Sequence, residues 1–325
     1  MIRNRQHSQV NWGVFLPSFS ASAPIDVAAL RRLAVTAEER GLEYAFVGDH
    51  LIWNTGILAP LPTLAHLAAV TERIKLGPGV YLLPLRPPVI AAKDVITLDL
   101  LSGGRLVMGV GAGGENPDEY RAAGIEPGDR GARMNEGIAA LRALLEGEGN
   151  EIEGRFVNVP ALTLEPRPER PVPIWVGGRA DAVVDRAAQL GDGWFPVWIS
   201  AERYATARER VLEQRREDGF AFALNIFVSI AETRDEAKVT VMSHMQNAYA
   251  LPFERFERYV AYGPPEDIRA KVRPYLDAGV TDVVFNLVGP APEEQLDLLT
   301  REVLGSADPA FMLPRSAEAA APERP

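Results

Sequence analysis

Few side chains in this 325-residue sequence have the types and spacing that chemistry requires, and the conspicuous ones follow runs that read as β-strands. Asp49 and His50 close the run YAFVGDH. An imidazole gives or takes a proton near neutral pH, and a neighbouring carboxylate can orient its ring. The same pair would serve equally well as a buried hydrogen-bonded couple that fixes a loop. Trp53, on the same loop, either stacks on a ligand or packs. Two glycine clusters, Gly77 to Gly79 before Val80 and Gly111, Ala112, Gly113, Gly114 before Glu115, leave bare backbone where a ligand can press close. Gly177, Gly178 and Arg179 end PIWVGG and lead into a helix, whose free N–H groups and positive dipole end suit a phosphate. Arg179 would strengthen that site by a charge-assisted hydrogen bond or lie solvated on the surface. Trp194, Phe195 and Pro196 read either as walls of the pocket or as core.

Other chemistries lack their residues. The four histidines, His7, His50, His66 and His244, show no paired ligand spacing, so no metal site is expected. With no cysteine, disulfides, thiolate catalysis and thiolate metal sites are excluded, and a reducing cytoplasm fits. There is no GxSxG elbow for a serine nucleophile. Gly109, Gly111 and Gly114 satisfy GxGxxG after a strand, yet a dinucleotide fold needs a second strand ending in an acidic residue about 20 positions on. Glu136 falls instead inside the helical pattern ARMNEGIAALRALL. The formal charge of −10 and the absence of a Lys/Arg run argue against nucleic acid. No stretch is apolar enough to span a membrane, and the N-terminal twelve residues lack the apolar centre of a signal peptide.

The elements that must position these residues alternate through the chain. IKLGPGVYL, then PVIAAKDVITLDLLSG with apolar residues at helical spacing, then the uninterrupted RLVMGVG form a βαβ unit of a parallel sheet covered on both faces. Strands are also expected at 10–17, 44–50, 173–178, 192–198, 221–230 and 281–288, with a small hairpin inserted at 151–166. That gives eight strands, each followed by at least one helix and with no linker between them, so a single (β/α)8 barrel over 10–306 fits better than a doubly wound sheet. Residues 1–9 form an extension, and a disordered tail is expected over 307–325, which is rich in Ala, Pro and charge. In such a barrel the site lies at the C-terminal strand ends, where every residue singled out above falls.

AEERGLEYAFVGDH, the 72–114 segment, PIWVGG and LGDGWFP together resemble the luciferase-like monooxygenase superfamily over roughly residues 10 to 305. The resemblance implies a barrel binding coenzyme F420, a deazaflavin, or reduced FMN. GVFLP, GDH and LSGGRL are most similar to the F420-dependent branch. It also implies a cis peptide at Gly79–Val80 supporting the central ring, Asp49 and His50 near the reactive ring, close passage of the cofactor by Gly111 to Gly114, and its phosphate at Gly177 and Gly178. Similar deazaflavin dehydrogenases carry a catalytic glutamate near Glu115, although in this chain Gly114 competes for that register. The implied activity is hydride transfer to or from a small organic substrate with F420, or oxygen-dependent monooxygenation with FMN. A barrel that binds the cofactor without turnover is a further reading. A homodimer is implied by the resemblance alone.

Overall fold

The computed structural model describes residues 10–313 apart from 21–23, 115, 148, 150, 251 and 290. Eight parallel strands make the barrel: β1 Asn11–Phe15, β2 Tyr44–Val47, β3 Lys75–Pro78, β4 Met108–Gly111, β5 Ile174–Gly177, β6 Gly193–Phe195, β7 Ala221–Ile230 and β8 Asp282–Leu287. Their pairing runs β3-β2-β1-β8-β7-β6-β5-β4. The last gap, between β3 and β4, is bridged where Leu76 N donates to Arg105 O at 3.0 Å and Leu76 O accepts from Val107 N at 2.9 Å. Beyond Pro78 the Gly79–Val80 peptide is cis, and the chain resumes as Tyr81–Leu82, which pairs with β4 rather than β2. All eight strands thus fall where the apolar runs predict. One further strand, Ala261–Gly263, extends the sheet beside the C-terminal half of β7; its three residues are too short to show a period.

Helices cover the outside: α1 Val27–Glu39, α2 Pro60–Ala68, α3 Pro88–Leu101, then α4 Pro117–Ala122 and α5 Arg130–Glu146. They continue as α6 Asp181–Leu190, α7 Ala201–Leu212, α8 Arg234–Tyr249, α9 Pro265–Asp277 and α10 Pro292–Leu298. The expected hairpin forms apart from the barrel, pairing Ile152 with Val159. A second antiparallel pair, Phe19–Ser20 with Gly56–Ile57, lies above β1 and β2.

Inside the barrel, side chains fill the space, as the closed small barrel requires. Tyr44, Phe46, Trp175 and Phe195 pack as one aromatic cluster, with neighbouring ring centroids 5.0–6.0 Å apart. Below them the N-terminal end is sealed by Asp282, which accepts from Tyr44 Oη at 2.7 Å and Asn11 Nδ2 at 2.8 Å. Burial, with the Asp282 charge beside it, pushes the Tyr44 hydroxyl far above its ordinary pKa, so this plug stays a neutral phenol donating to a carboxylate.

Ordered structure continues past residue 307, where the composition predicts a disordered tail to start. Pro309–Phe311 is a 3-10 helix, and Phe311 is fully buried against Trp12, with centroids 5.7 Å apart. Composition masked this because one aromatic anchor outweighs a polar neighbourhood; residues 314–325 lie outside the described residues. Phe311→Ala should therefore cost about 3–4 kcal/mol, as expected for a buried aromatic truncated in place. Urea denaturation checks this; a cost below about 0.5 kcal/mol would mean that the segment contributes nothing.

Candidate functional site

The C-terminal strand ends surround a cavity of about 370 Å³. Its wall divides by strand order. On the β3-β4-β5 half it is backbone and glycine: Gly79, Val80, Gly111, Ala112, Gly113, Gly177 and Gly178. The half formed by β6, β7, β8, β1 and the loops above them is aromatic, with Phe15, Phe19, Phe195, Trp198, Phe227 and, from the end of α8, Tyr249.

The glycines on the first half have a specific task. A Cβ on Gly111 would stand 2.2 Å from Val80 Cγ2, and one on Gly177 would stand 2.6 Å from Val80 Cγ1. No real Cβ tolerates either approach. Both glycines therefore make room first for the Val80 side chain, which lies across the ends of β4 and β5. Gly79 is equally confined, its Cβ position being 2.8 Å from Phe15 Cε2. The bare backbone read from the sequence is real, but at Gly111 and Gly177 it accommodates the protein's own valine.

Two buried carboxylates hold the mouth. Asp49, whose side chain is wholly buried, accepts from Leu82 N at 2.8 Å and takes both arms of Arg86 at 2.6 and 2.7 Å. It ties the end of β2 to the segment after β3, and this bidentate geometry leaves it no part in orienting His50. That task falls to Glu119 on α4. Its buried carboxylate meets His50 Nδ1 at 3.0 Å and accepts from Leu51 N at 2.6 Å and Ile52 N at 3.3 Å. Burial acts to raise the Glu119 pKa, but the His50 hydrogen bond and charge and the two N–H groups outweigh it, leaving the carboxyl below its usual range. An ionised carboxylate only accepts, so Nδ1 carries the proton and Nε2 is left for a ligand in the cavity that His50 lines. Trp53 stacks flat on the imidazole at 3.9 Å.

The short helix α4 is the hub of this arrangement. Asn116 caps it by accepting from Asp118 N at 3.0 Å and also donates to Ile52 O at 3.1 Å. The Tyr120 hydroxyl donates to Ala112 O. Six residues thus bind the loop after β2 to the loop after β4.

Of the residues singled out in the sequence, Asp49, His50, Gly79, Val80, Gly111, Ala112, Gly113, Gly177, Gly178 and Phe195 line the cavity. Trp194 does not: strand alternation turns it outward, where it packs on Tyr204 at 4.9 Å and donates from Nε1 to Gly178 O at 2.8 Å. Gly114 is exposed at the lip against Arg130 rather than on the wall. Arg179 is exposed and donates to Trp198 O at 2.8 Å, so its guanidinium braces a neighbouring loop; Arg130 is the arginine that lines the cavity. Glu115 lies outside the described residues. Glu119, Arg86 and Arg130 carried no sequence signal, because their partners are fixed by the fold and not by spacing. Tyr249 and Phe227 likewise carry no local signal, since only the fold brings them to the cavity.

Among the described residues no group of three or more His, Cys, Asp or Glu is placed to hold a metal, and no helix is long and apolar enough to cross a membrane. His244, behind Phe19 and Phe227, is pushed down to about 4 by burial and is a neutral imidazole at neutral pH.

Two outcomes follow. Gly111→Ala should destabilise the protein by about 2–3 kcal/mol through overpacking, and adding Val80→Ala should recover part of that loss; strictly additive costs in denaturant unfolding would refute the contact. Glu119→Gln keeps the volume and removes the charge, at a cost of about 1–3 kcal/mol at pH 7. Because the folded pKa of Glu119 is lowered, its contribution is present above its ordinary value of 4.5 and lost as pH falls through the lower folded value. The gap between wild type and Glu119→Gln should therefore shrink below that pH in urea unfolding curves.

Known proteins share this architecture. The chain is 29% identical over 307 residues to the F420-dependent glucose-6-phosphate dehydrogenase of Nocardia farcinica (strain IFM 10152), covering 83% of this chain and 91% of that protein. The structure of the monooxygenase RslO1 from Streptomyces bottropensis superposes with a TM-score of 0.78 at 25% identity, covering 91% of this chain and 99% of that one. A type II Baeyer-Villiger monooxygenase, the oxygenating constituent of 3,6-diketocamphane monooxygenase from Pseudomonas putida in complex with FMN, shares the fold with a TM-score of 0.71 at 19% identity, covering 91% and 98%. The profile of the luciferase-like monooxygenases matches residues 10–259, which takes in seven of the eight barrel strands and most of the cavity wall. The chain belongs to the luciferase-like monooxygenase family.

Proposed function

We propose that this protein is an oxidoreductase that binds coenzyme F420 across the strand ends and transfers hydride between it and a small organic substrate. The observation that carries the reading is the Val80 side chain lying over Gly111 and Gly177, which turns the β3-β4-β5 half of the cavity into a smooth wall able to carry a flat ring. The cavity volume of about 370 Å³ lies within the range of small-molecule sites, about 300–1,000 Å³. Gly177 and Gly178, with the N-terminus of α6, take the cofactor phosphate in this reading. Arg130 supplies the charge that Arg179 does not bring into the cavity.

A bound deazaflavin gives or accepts hydride at C5, whereas reduced FMN activates dioxygen. The protein's own share is placement and one proton. The glycine wall fixes the ring, the aromatic half excludes water, and His50, held by Glu119, exchanges a proton at Nε2 with the substrate. Asp49 is a structural anchor in this scheme.

The FMN-dependent monooxygenase is the second reading, and a specific observation favours it. Asp49, which lines the cavity, and Glu119, behind His50, are both fully engaged, so among the described residues a dehydrogenase would have His50 alone as its base. The proposal also includes a homodimer and a cytoplasmic location. Exposed Ile90 and Leu101 on α3 support the first, and the absence of cysteine fits the second.

Titration of the purified protein with F420 and with FMN, each followed by its own fluorescence, tests the assignment. F420 should bind at micromolar concentration or better and at least about 10-fold more tightly than FMN, a difference of about 1.4 kcal/mol. Tighter FMN binding with substrate-dependent oxygen uptake would establish the second reading, and no binding of either would end both. His50→Gln should lower kcat by about 100-fold while leaving cofactor affinity within a few-fold.

A further inference from the structure

The inward faces of β7 and β8 change character where the barrel interior becomes the cavity. Strand alternation points Ala223 and Asn225 of β7, and Val284 and Asn286 of β8, inside the barrel, while their neighbours Leu224 and Phe285 belong to the main core outside it. Ala223 and Val284 pack in the aromatic cluster of the interior; Asn225 and Asn286 stand one step nearer the strand ends and line the cavity. Nearer the mouth follows an aromatic train, Trp53, Tyr249, Trp198 and Phe227, with successive centroids 5.5, 5.0 and 5.8 Å apart. Both asparagines are more than nine-tenths buried, at 8% and 5% exposed. An amide at that depth ordinarily has a protein partner. Among the described residues the Asn286 side chain has none, and neither of its polar atoms is sealed from the cavity. The Asn225 side chain has none either; its Oδ1 is sealed, so its amide meets the cavity through Nδ2.

Strand order fixes what these amides face. In the closed order β7 and β8 each stand four strands from β3 and β4 respectively, directly across the barrel from the glycine wall. A flat ring on that wall turns its free face toward Asn225 and Asn286, and a substrate lying on that face meets both. Charge narrows the ligand. Among the described residues that line the cavity, Arg130 is the one Lys or Arg side chain, and it stands at the glycine lip beside Gly114. An ionised head on the β7–β8 side would be buried among neutral amides and rings with no counter-charge, which is strongly unfavourable. We propose that Asn225 and Asn286 set specificity by receiving an uncharged amide head of the substrate, a carbonyl oxygen with an N–H beside it. Asn286 donates and accepts, and Asn225 donates; turning either amide about its last torsion exchanges donor for acceptor, and an amide head answers both settings. The two side chains position the substrate and take no part in hydride or proton transfer. The inference rests on the proposed function for the side on which the cofactor lies.

The test is calorimetric titration of the F420-loaded protein at pH 8 with three probes of one shape: benzamide, ionised benzoate, and α-methylstyrene, which has carbon in place of the amide oxygen and nitrogen. Benzamide should bind at least about 10-fold more tightly than benzoate. In Asn286→Leu and in Asn225→Leu the ratio of benzamide to α-methylstyrene affinity should fall about 10-fold, the loss expected for one hydrogen-bonded pair. The urea midpoint of each cofactor-free variant should stay at or above that of wild type, because neither amide has a protein partner to lose. Benzoate binding as tightly as benzamide overturns the inference, as does a ratio that falls by less than about 3-fold in both variants, or no benzamide binding at about 10 mM. The wild-type titrations decide the matter even where a variant does not fold. Benzamide that binds only the cofactor-free protein and is displaced by F420 would assign the amides to the cofactor and overturn the substrate subsite. If F420 does not bind but the benzamide preference holds in the cofactor-free protein, the proposed function fails and the subsite stands.

Discussion

The Val80 side chain rests on the bare backbones of Gly111 and Gly177, and the architecture of the site is built around that contact. It forces two neighbouring strands to end in glycine, because a methyl group at either position would occupy the space of the valine. It also coincides with the change of partner along the third strand, which leaves β2 after Pro78 and pairs with β4 at Tyr81 and Leu82. The barrel closes at the same place where its cavity acquires a smooth wall. One interaction therefore serves topology and ligand shape together, and loosening it would disturb both.

Above this wall the chain leaves regular structure, so its loops need other anchors. Strands satisfy their backbone groups through the ladder; loops at a cavity mouth must find acceptors and donors elsewhere or be exposed to water. Here two fully buried carboxylates provide them. Asp49 collects Leu82 N and Arg86, and Glu119 collects Leu51 N, Ile52 N and His50. Burying a carboxylate is costly unless its oxygens are well satisfied, and each of these has three donor groups. The cost is the reason that both act as fixed points: removing one partner strands the other in a dry site. The imidazole between Glu119 and Trp53 is thereby fixed in position and in tautomer, before any ligand arrives.

How much of this could be read in advance varies with the range of the interaction. The eight strands were legible because covered parallel strands are short unbroken apolar runs, and YAFV and GWF needed no partner to be recognised. The glycine clusters were legible as close approaches, although what approaches Gly111 and Gly177 is Val80, a residue from another strand. The cis peptide at Gly79–Val80 came from the resemblance and not from the residues. Trp194 and Phe195 were separable in principle, since neighbours on a strand face opposite sides, and only Phe195 points inward. His50 was found while its partner was missed. Glu119 lies 69 residues away on a six-residue helix with no amphipathic signal, and only the barrel brings the two together.

The cavity's two halves meet at a third anchor, and it explains why Arg179 matters without touching the cavity. Arg179 follows the glycines of β5 and donates to the carbonyl of Trp198, while Trp194 of β6 donates back to the carbonyl of Gly178. These reciprocal bonds couple the loop after β5 to the loop after β6, the junction between the glycine wall and the aromatic train. A carbonyl held by a guanidinium helps to keep Trp198 in its left-handed conformation, whereas a freely rotating loop would relax to the commoner extended one. The consequence is a direct mechanical link. Two side-chain hydrogen bonds thus tie the end of β5 at Gly178 and Arg179 to β6 and the loop that carries Trp198.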